Sequence, residues 1–215
     1  MTPIWIFDLD NTLHHADPLV FPTINRAMTD YIIEMLQVTE SEANHLRERY
    51  WARYGATLQG LVRHHRIDPE HFLWHTHPLA RMTHTLYPKA GLHRTLARLP
   101  GRKLLFTNGP RHYAAALLSG LGIDAQFDGI LTPQDCHYLP KPYVHGYRTL
   151  LARYRLQAEQ CIMVEDSLAN LRPAKRLGMK TVWLRRGYRQ SPWADVCLPD
   201  LHHLPNRLDE LILSN

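Results

Sequence analysis

Ile4-Trp5-Ile6-Phe7-Asp8-Leu9-Asp10-Asn11-Thr12-Leu13 opens the chain with a continuous apolar run that ends abruptly in acid. A run that is apolar at every position reads as a strand buried on both faces, as in a parallel sheet covered by helices. In an extended strand, residues i and i+2 share a face, so Asp8 and Asp10 are expected to emerge together where that strand reaches solvent. Two like charges side by side push one pKa up unless a cation intervenes. A metal ion or a shared proton is therefore expected at this strand end.

Similar apolar runs recur at 103–106, 161–164 and Lys180–Leu184, with shorter ones at Gly129–Leu131 and Val196–Leu198. Between them lie helical patterns at 91–99, 110–121, Val144–Tyr154, 168–177 and 205–213. Strands alternating with helices predict an α/β protein with a Rossmann-like parallel sheet core flanked by helices. Residues 15–87 break the alternation, because no buried strand interrupts their helical periodicity. Ile24, Met28, Tyr31, Ile32, Met35 and Leu36 recur at spacings of three and four, which puts them on one helix face over 24–36. Further helices are predicted over 41–54, where Ser41 is taken as the cap, over Thr57–His65 and over 69–75. Pro22 and Pro88 punctuate the two ends of this region. The expectation is a catalytic core made of 1–14 and 88–215, with an inserted all-helical cap at 15–87.

A chain of 215 residues can hold one sizeable core and a second small unit inserted into it. Lys and Arg outnumber Asp and Glu by 25 to 20, a mild surplus that suits anionic ligands. Dense basic runs are absent, so nucleic acid is not expected as a partner. Cys136, Cys161 and Cys197 are odd in number and sit in apolar contexts, which fits reduced thiols better than a disulfide framework. With no charged leader and no apolar run of membrane-spanning length, the expected location is cytoplasmic, as a monomer or homodimer without membrane contact. Among the 15 histidines, His71 and His75 stand at i and i+4 with His77 nearby, but no Cys or acid joins them at zinc-motif spacing. His14, His15, His64 and His65 are candidates to line the cleft beneath the cap, although surface placement is the default for most of them.

Ligands of open parallel sheets sit beyond the carboxyl ends of the strands. Here those ends carry Asp8 and Asp10, then Thr107-Asn108-Gly109, then Glu165-Asp166-Ser167, with Lys141 between two prolines on the connection before the last of these. Each has a role if the ligand is a phosphate ester. A carboxylate such as Asp8 can attack phosphorus, and Asp10 can protonate the leaving oxygen and later take a proton from water. Thr107 and Asn108 offer donors to the anion, Gly109 lets backbone approach it, and Asn11 would sit beside it. Lys141 supplies fixed positive charge to the phosphoryl oxygens, and a hard divalent cation, Mg²⁺ first, would screen Asp8 from the incoming anion, with Asp166 as a further carboxylate source.

Set in order, Asp8-x-Asp10-x-Thr12, Thr107, Lys141 and Glu165-Asp166 with Asn170 resemble the four motifs of the haloacid dehalogenase-like superfamily of phosphohydrolases. The resemblance covers the whole chain. It implies Asp8 as nucleophile, Asp10 as acid/base, and Mg²⁺ held by Asp8, the Asp10 carbonyl and Asp166, with Glu165 acting through water and Thr12 and Asn170 supporting the site. Asp10 itself argues against the dehalogenases that name the superfamily, which lack that second acid. The wording of the motifs is most similar to the pyrimidine 5′-nucleotidase-like branch, through Phe7-Asp8-Leu9-Asp10-Asn11-Thr12-Leu13, Thr107-Asn108-Gly109, Leu121-Gly122-Ile123, Phe127-Asp128, Lys141-Pro142 and Glu165-Asp166-Ser167. The implied activity is hydrolysis of a small phosphate monoester, a pyrimidine nucleoside 5′-monophosphate first. The alternatives are a phosphosugar or phosphoglycolate phosphatase, a phosphoglucomutase-like transferase, and, outside enzymes, an inert relative that binds anions or nucleic acid. In the cap, residues 54–61 are the candidate substrate loop, with Tyr54 and Thr57 as candidate contacts; Tyr54 can stack on a pyrimidine or pack between cap helices.

Overall fold

The computed structural model describes residues 2–82, 86–187 and 189–212. Among them six strands, β1 (Ile4–Phe7), β2 (Arg102–Phe106), β3 (Gly129–Leu131), β4 (Cys161–Glu165), β5 (Lys180–Leu184) and β6 (Val196–Leu198), form one sheet in the order β3-β2-β1-β4-β5-β6. Every pairing is parallel. The order reverses at β1, so the crevice between the ends of β1 and β4 is the topological switch point at which such sheets bind ligands. Register brings Phe7 opposite Leu105 of β2 and Val164 of β4. Asp8 and Glu165 consequently leave the sheet at one level.

Alternation along β1 divides the core into two layers. Trp5 and Phe7 face one cluster with Leu105, Val164 and Val182, packed under α5 (Leu92–Arg98), α6 (Arg111–Gly120) and α9 (Leu208–Ile212). Ile4 and Ile6 face the other with Leu104, Phe106 and Met163, packed under α7 (Val144–Tyr154) and α8 (Leu168–Arg176). This is the burial on both faces that an uninterrupted apolar run requires.

Four helices, α1 (Val20–Leu36), α2 (Glu40–Tyr54), α3 (Thr57–His65) and α4 (Pro69–Thr76), share a further small core of Tyr31, Ile32, Tyr50, Tyr54, Leu58, Leu61 and Phe72, while Val20 and Ile24 at the start of α1 pack into the first cluster. The segments that lead into and out of this helical region run side by side: His15 N–H donates to Tyr87 O at 2.8 Å and Lys89 N–H to Leu13 O at 3.0 Å. α5 and α6 each start one residue later than expected, and the starts of α1 and α2 come earlier. α1 begins before Pro22, since a proline in the first turn gives up an N–H that has no partner there anyway. α2 begins at Glu40, because Thr39 and Glu42 close a capping box, ahead of Ser41. The expected helix over 205–213 is a 3₁₀ segment, Leu201–Arg207, that passes into α9; Leu213 lies outside the described residues.

No helix of the described residues is long and apolar enough to cross a membrane. Cys136 and Cys161 are buried free thiols, pushed up by burial to about 11 and about 12.

Candidate active site

The Asp8 N–H donates to Val164 O at 3.0 Å, so the strand pairing carries this residue to the sheet edge. There it meets Lys141, whose Nζ donates to Asp8 Oδ1 at 2.6 Å, to Glu165 Oε2 at 2.7 Å and to Phe106 O at 2.8 Å. All three directions of the ammonium are used. Asn108 sets the height of the lysine: its side-chain oxygen accepts the Lys141 N–H at 2.7 Å, and its amide donates to Lys141 O at 3.1 Å. The side chain of Asn108 thus brackets the backbone of Lys141, a positioning role in addition to the anion contact expected from sequence.

Asp8, Lys141 and Glu165 are each no more than 6% exposed, so desolvation dominates their charges. Burial, reinforced by Glu165, pushes Asp8 up to about 7. Burial pushes Glu165 up to about 7 as well, and it raises Asp166. For Lys141 burial works against the charge, but the Asp8 and Glu165 carboxylates outweigh it and hold the ammonium above its ordinary value. One lysine therefore faces more negative charge than it can neutralise.

Carboxylate oxygens of Asp8, Glu165 and Asp166 lie within 4.8 Å of one another. Three hard oxygen donors with an excess of negative charge suit a hard divalent cation such as Mg²⁺. The Asp10 carboxylate is not in this group. β1 ends at Phe7 and the chain turns through Asn11 at φ 61°, just past Asp10, whose charge still adds to the rise of Asp8. The other two carboxylates of the group come from Glu165 at the end of β4 and from Asp166 directly after it.

Asp10 has partners of its own. Its Oδ1 accepts the Tyr113 hydroxyl at 2.5 Å and lies 2.9 Å from His14 Nε2. Tyr113 is on the first turn of α6, directly after the Thr107-Asn108-Gly109-Pro110 loop, and its ring lies over Gly109. A Cβ at Gly109 would stand 2.6 Å from Tyr113 Cδ1, so the absent side chain makes room for this ring. His14, expected near the cleft or at the surface, is fully buried. Tyr113 had no motif to announce it; its one sequence signal is its place in the first turn of a helix whose start faces the strand ends.

Among the remaining candidates, Thr107 is buried and its Oγ1 accepts the Gly109 N–H at 2.9 Å, which tightens the loop. Asn11 turns its amide toward Asp17 Oδ1 and accepts the Ala16 N–H, both at 2.9 Å, bracing the exit from the strand. Thr12 is buried, and among the described residues no hydrogen bond reaches its Oγ1. The carbonyl of Asn170 accepts the Tyr147 hydroxyl at 2.6 Å, tying α8 to α7 beside Asp166.

Tyr54 and Thr57 are buried in the helical region. The Tyr54 hydroxyl pairs with His64 at 2.7 Å, and the guanidinium groups of Arg53 and Arg63 lie 5.4 and 5.3 Å from its ring. Thr57 Oγ1 donates to Arg47 O at 3.0 Å. From this loop Gln59 reaches the core, its amide donating to Tyr138 O at 2.5 Å. Tyr138, three residues before Lys141, in turn gives its hydroxyl to Glu70 of α4 at 2.7 Å. His71 and His75 use Nδ1 on Tyr31 and on the His71 carbonyl, and no metal-ligand cluster includes them among the described residues.

A profile of haloacid dehalogenase-like hydrolases matches residues 4–178, a span that includes Asp8, Asp10, Thr107, Lys141 and Asp166. The chain belongs to this family. Phosphoglycolate phosphatase of Cereibacter sphaeroides is 30% identical over 218 residues, covering 96% of this chain and 98% of that protein. Phosphate metabolism protein 8 of Saccharomyces cerevisiae is 28% identical over 196 residues, which cover 82% of this chain but 59% of that longer protein. In fold, the chain is similar to the HAD phosphatase from Thermococcus onnurineus, with a TM-score of 0.71 at 23% identity over 97% of this chain and 98% of the other.

Proposed function

We propose that this family member is a Mg²⁺-dependent phosphatase that hydrolyses small phosphate monoesters by way of a phosphoryl group carried on Asp8. The observation that supports this most is the buried Lys141 ammonium held between Asp8 and Glu165 at the end of β1. A fixed cation beside a carboxylate on a sheet edge is the electrostatic arrangement that phosphoryl transfer needs.

In the first step an Asp8 oxygen attacks phosphorus, the bond from phosphorus to the ester oxygen breaks, and Asp10 gives its proton to that oxygen. In the second, Asp10 takes a proton from water, the water oxygen attacks the same phosphorus, and inorganic phosphate leaves the restored Asp8 carboxylate. Lys141 stays charged throughout and faces the phosphoryl oxygens, while Thr107 and the loop amides beside it complete the anion cradle. Mg²⁺, held by Asp8, Asp166 and the Asp10 carbonyl, would offset the repulsion between a carboxylate nucleophile and an anionic substrate. The helical region 15–87 is the cap in this reading, and it excludes bulk water and macromolecular substrates.

For the substrate class, small phosphorylated acids and sugars come first, supported by relatives that are phosphoglycolate phosphatases. Pyrimidine nucleoside 5′-monophosphates rest on the wording of the motifs alone, since the Tyr54 ring that would stack a base is buried under two arginines. Phosphate release from a panel of phosphoglycolate, sugar phosphates and nucleotides, with Mg²⁺ and with EDTA, tests both levels. The expected outcome is turnover with Mg²⁺ and loss of it in EDTA. Turnover that is indifferent to EDTA would remove the metal from the account, and isomerised product in place of free phosphate would make the protein a transferase.

A further inference from the structure

The acid/base carboxyl proposed above is gripped from two sides. Tyr113 and His14 are both fully buried, and both place their polar atom on Asp10 Oδ1. An ionised carboxylate only accepts, so the His14 hydrogen belongs on Nε2. Burial, helped by the Asp10 charge, pushes the Tyr113 phenol far above its ordinary value, which keeps it a donor. Among the described residues no hydrogen bond reaches Asp10 Oδ2.

The Tyr113 ring is itself fixed. Gly109 leaves the space beneath it, and the His77 ring at the end of α4 packs on it at 5.3 Å between centroids and 60° between planes. Burial pulls His77 down to about 4, so it packs as a neutral ring. A residue of the helical region thereby closes the seat of a residue that holds Asp10.

We infer that Tyr113 and His14 are positioning residues that pin Asp10 Oδ1 and leave Oδ2 as the oxygen that hands a proton to the leaving group and takes one from water, an assignment that rests on the phosphatase reading. A free carboxyl rotates about its last bond and presents either oxygen; two donors converging on one oxygen remove that freedom. When Asp10 carries its proton, Oδ1 already receives two hydrogen bonds, so the proton resides on Oδ2. In kcat/KM, which reports only the steps up to transfer of the phosphoryl group to Asp8, the consequence falls on the step in which the leaving oxygen needs a proton.

The test compares two esters. p-Nitrophenyl phosphate expels a stable phenolate that needs no proton, whereas an alkyl ester, phosphoglycolate or a nucleoside 5′-monophosphate, does need one. Because general acid catalysis is worth ~10²–10⁴-fold, Tyr113→Phe is expected to lower kcat/KM on the alkyl ester by ~10–100-fold and on p-nitrophenyl phosphate by less than ~3-fold. His14→Leu should show the same split, and His14→Gln, which keeps an N–H near the Nε2 position, should recover part of the alkyl-ester rate. Thermal melts accompany each variant. Should His14→Leu not fold, Tyr113→Phe decides alone, since it deletes one oxygen from a ring that stays seated. Equal losses on both esters, or no loss on either, would overturn the positioning role while leaving the phosphatase reading in place. A wild-type protein that releases phosphate from neither ester would overturn both.

Discussion

At the residue scale, the site depends on one ammonium opposing several carboxylates in a dry environment. The raised Asp8 and Glu165 values carry a sign that can be measured on the metal-free protein. A carboxyl whose folded value lies above its unfolded one binds more protons in the folded state between the two, so stability falls as pH rises through that interval. In EDTA the folded protein is therefore expected to lose stability between about pH 4 and about pH 7, and to lose no more from these two groups above that. Lys141→Met deepens the effect. Removing one partner of a buried ion pair costs about 3–5 kcal/mol, and here much of that cost should vanish in acid, where Asp8 and Glu165 are protonated and no longer repel. Urea unfolding across pH in EDTA reads both effects; a Lys141→Met penalty that is flat with pH would mean that the lysine acts through packing alone.

The residues legible in the sequence were those that make chemistry at strand ends. Asp8, Lys141 and Glu165 announce themselves because charged residues that terminate buried strands have few structural reasons to be there. Tyr113 was not legible, and His14 was legible only as one of several histidines that could line the cleft, not as a partner of Asp10. Each touches Asp10 from a turn whose direction depends on Gly109 and on the left-handed Asn11, and no periodicity encodes that. Tyr54 shows the opposite limit: an aromatic on a helix reads as a ligand contact or as core, and only its neighbours decide.

At the element scale, the strands were legible to within a residue, since apolar runs that end in polar residues have few alternative readings. Helix starts were less so. Thr39-x-x-Glu42 outcompetes Ser41 because the box satisfies two backbone donors reciprocally, which a lone serine does not. The Glu42 carboxyl is held below its ordinary value by the Thr39 N–H and hydroxyl. The tightest seam in the helical region is between α2 and α3, where Gly60 faces Tyr50. A Cβ on residue 60 would stand 2.0 Å from Tyr50 Cγ. Gly60→Ala gains helix propensity yet should destabilise the protein by about 1–3 kcal/mol, because the Tyr50 ring and its pairing with His65 must shift. A melt of Gly60→Ala at or above the wild-type temperature would show that the seam is looser than this geometry.

At the scale of the molecule, two cores are joined by paired linkers and by contacts that no local pattern encodes. Residue Tyr138 holds φ 59°, uncommon for a bulky side chain, and from that position it reaches Glu70 while its carbonyl takes the Gln59 amide. The same short segment leads to Lys141, so contact with the helical region and placement of the site lysine share one stretch of backbone. His77 on Tyr113 is a second such contact, on the Asp10 side. The layered fold follows from alternation of strands and helices, but these crossings follow only from how the two units meet.

The central claim is that Asp8 accepts the phosphoryl group. Acid quenching during turnover of a ³²P-labelled ester, followed by peptide mapping, tests it most directly. Label is expected on Asp8, in the peptide that contains Ile4–Leu13, released by hydroxylamine as an acyl phosphate should be, and absent from Asp8→Asn. Label on a histidine, or Asp8→Asn protein that still turns substrate over, would contradict it.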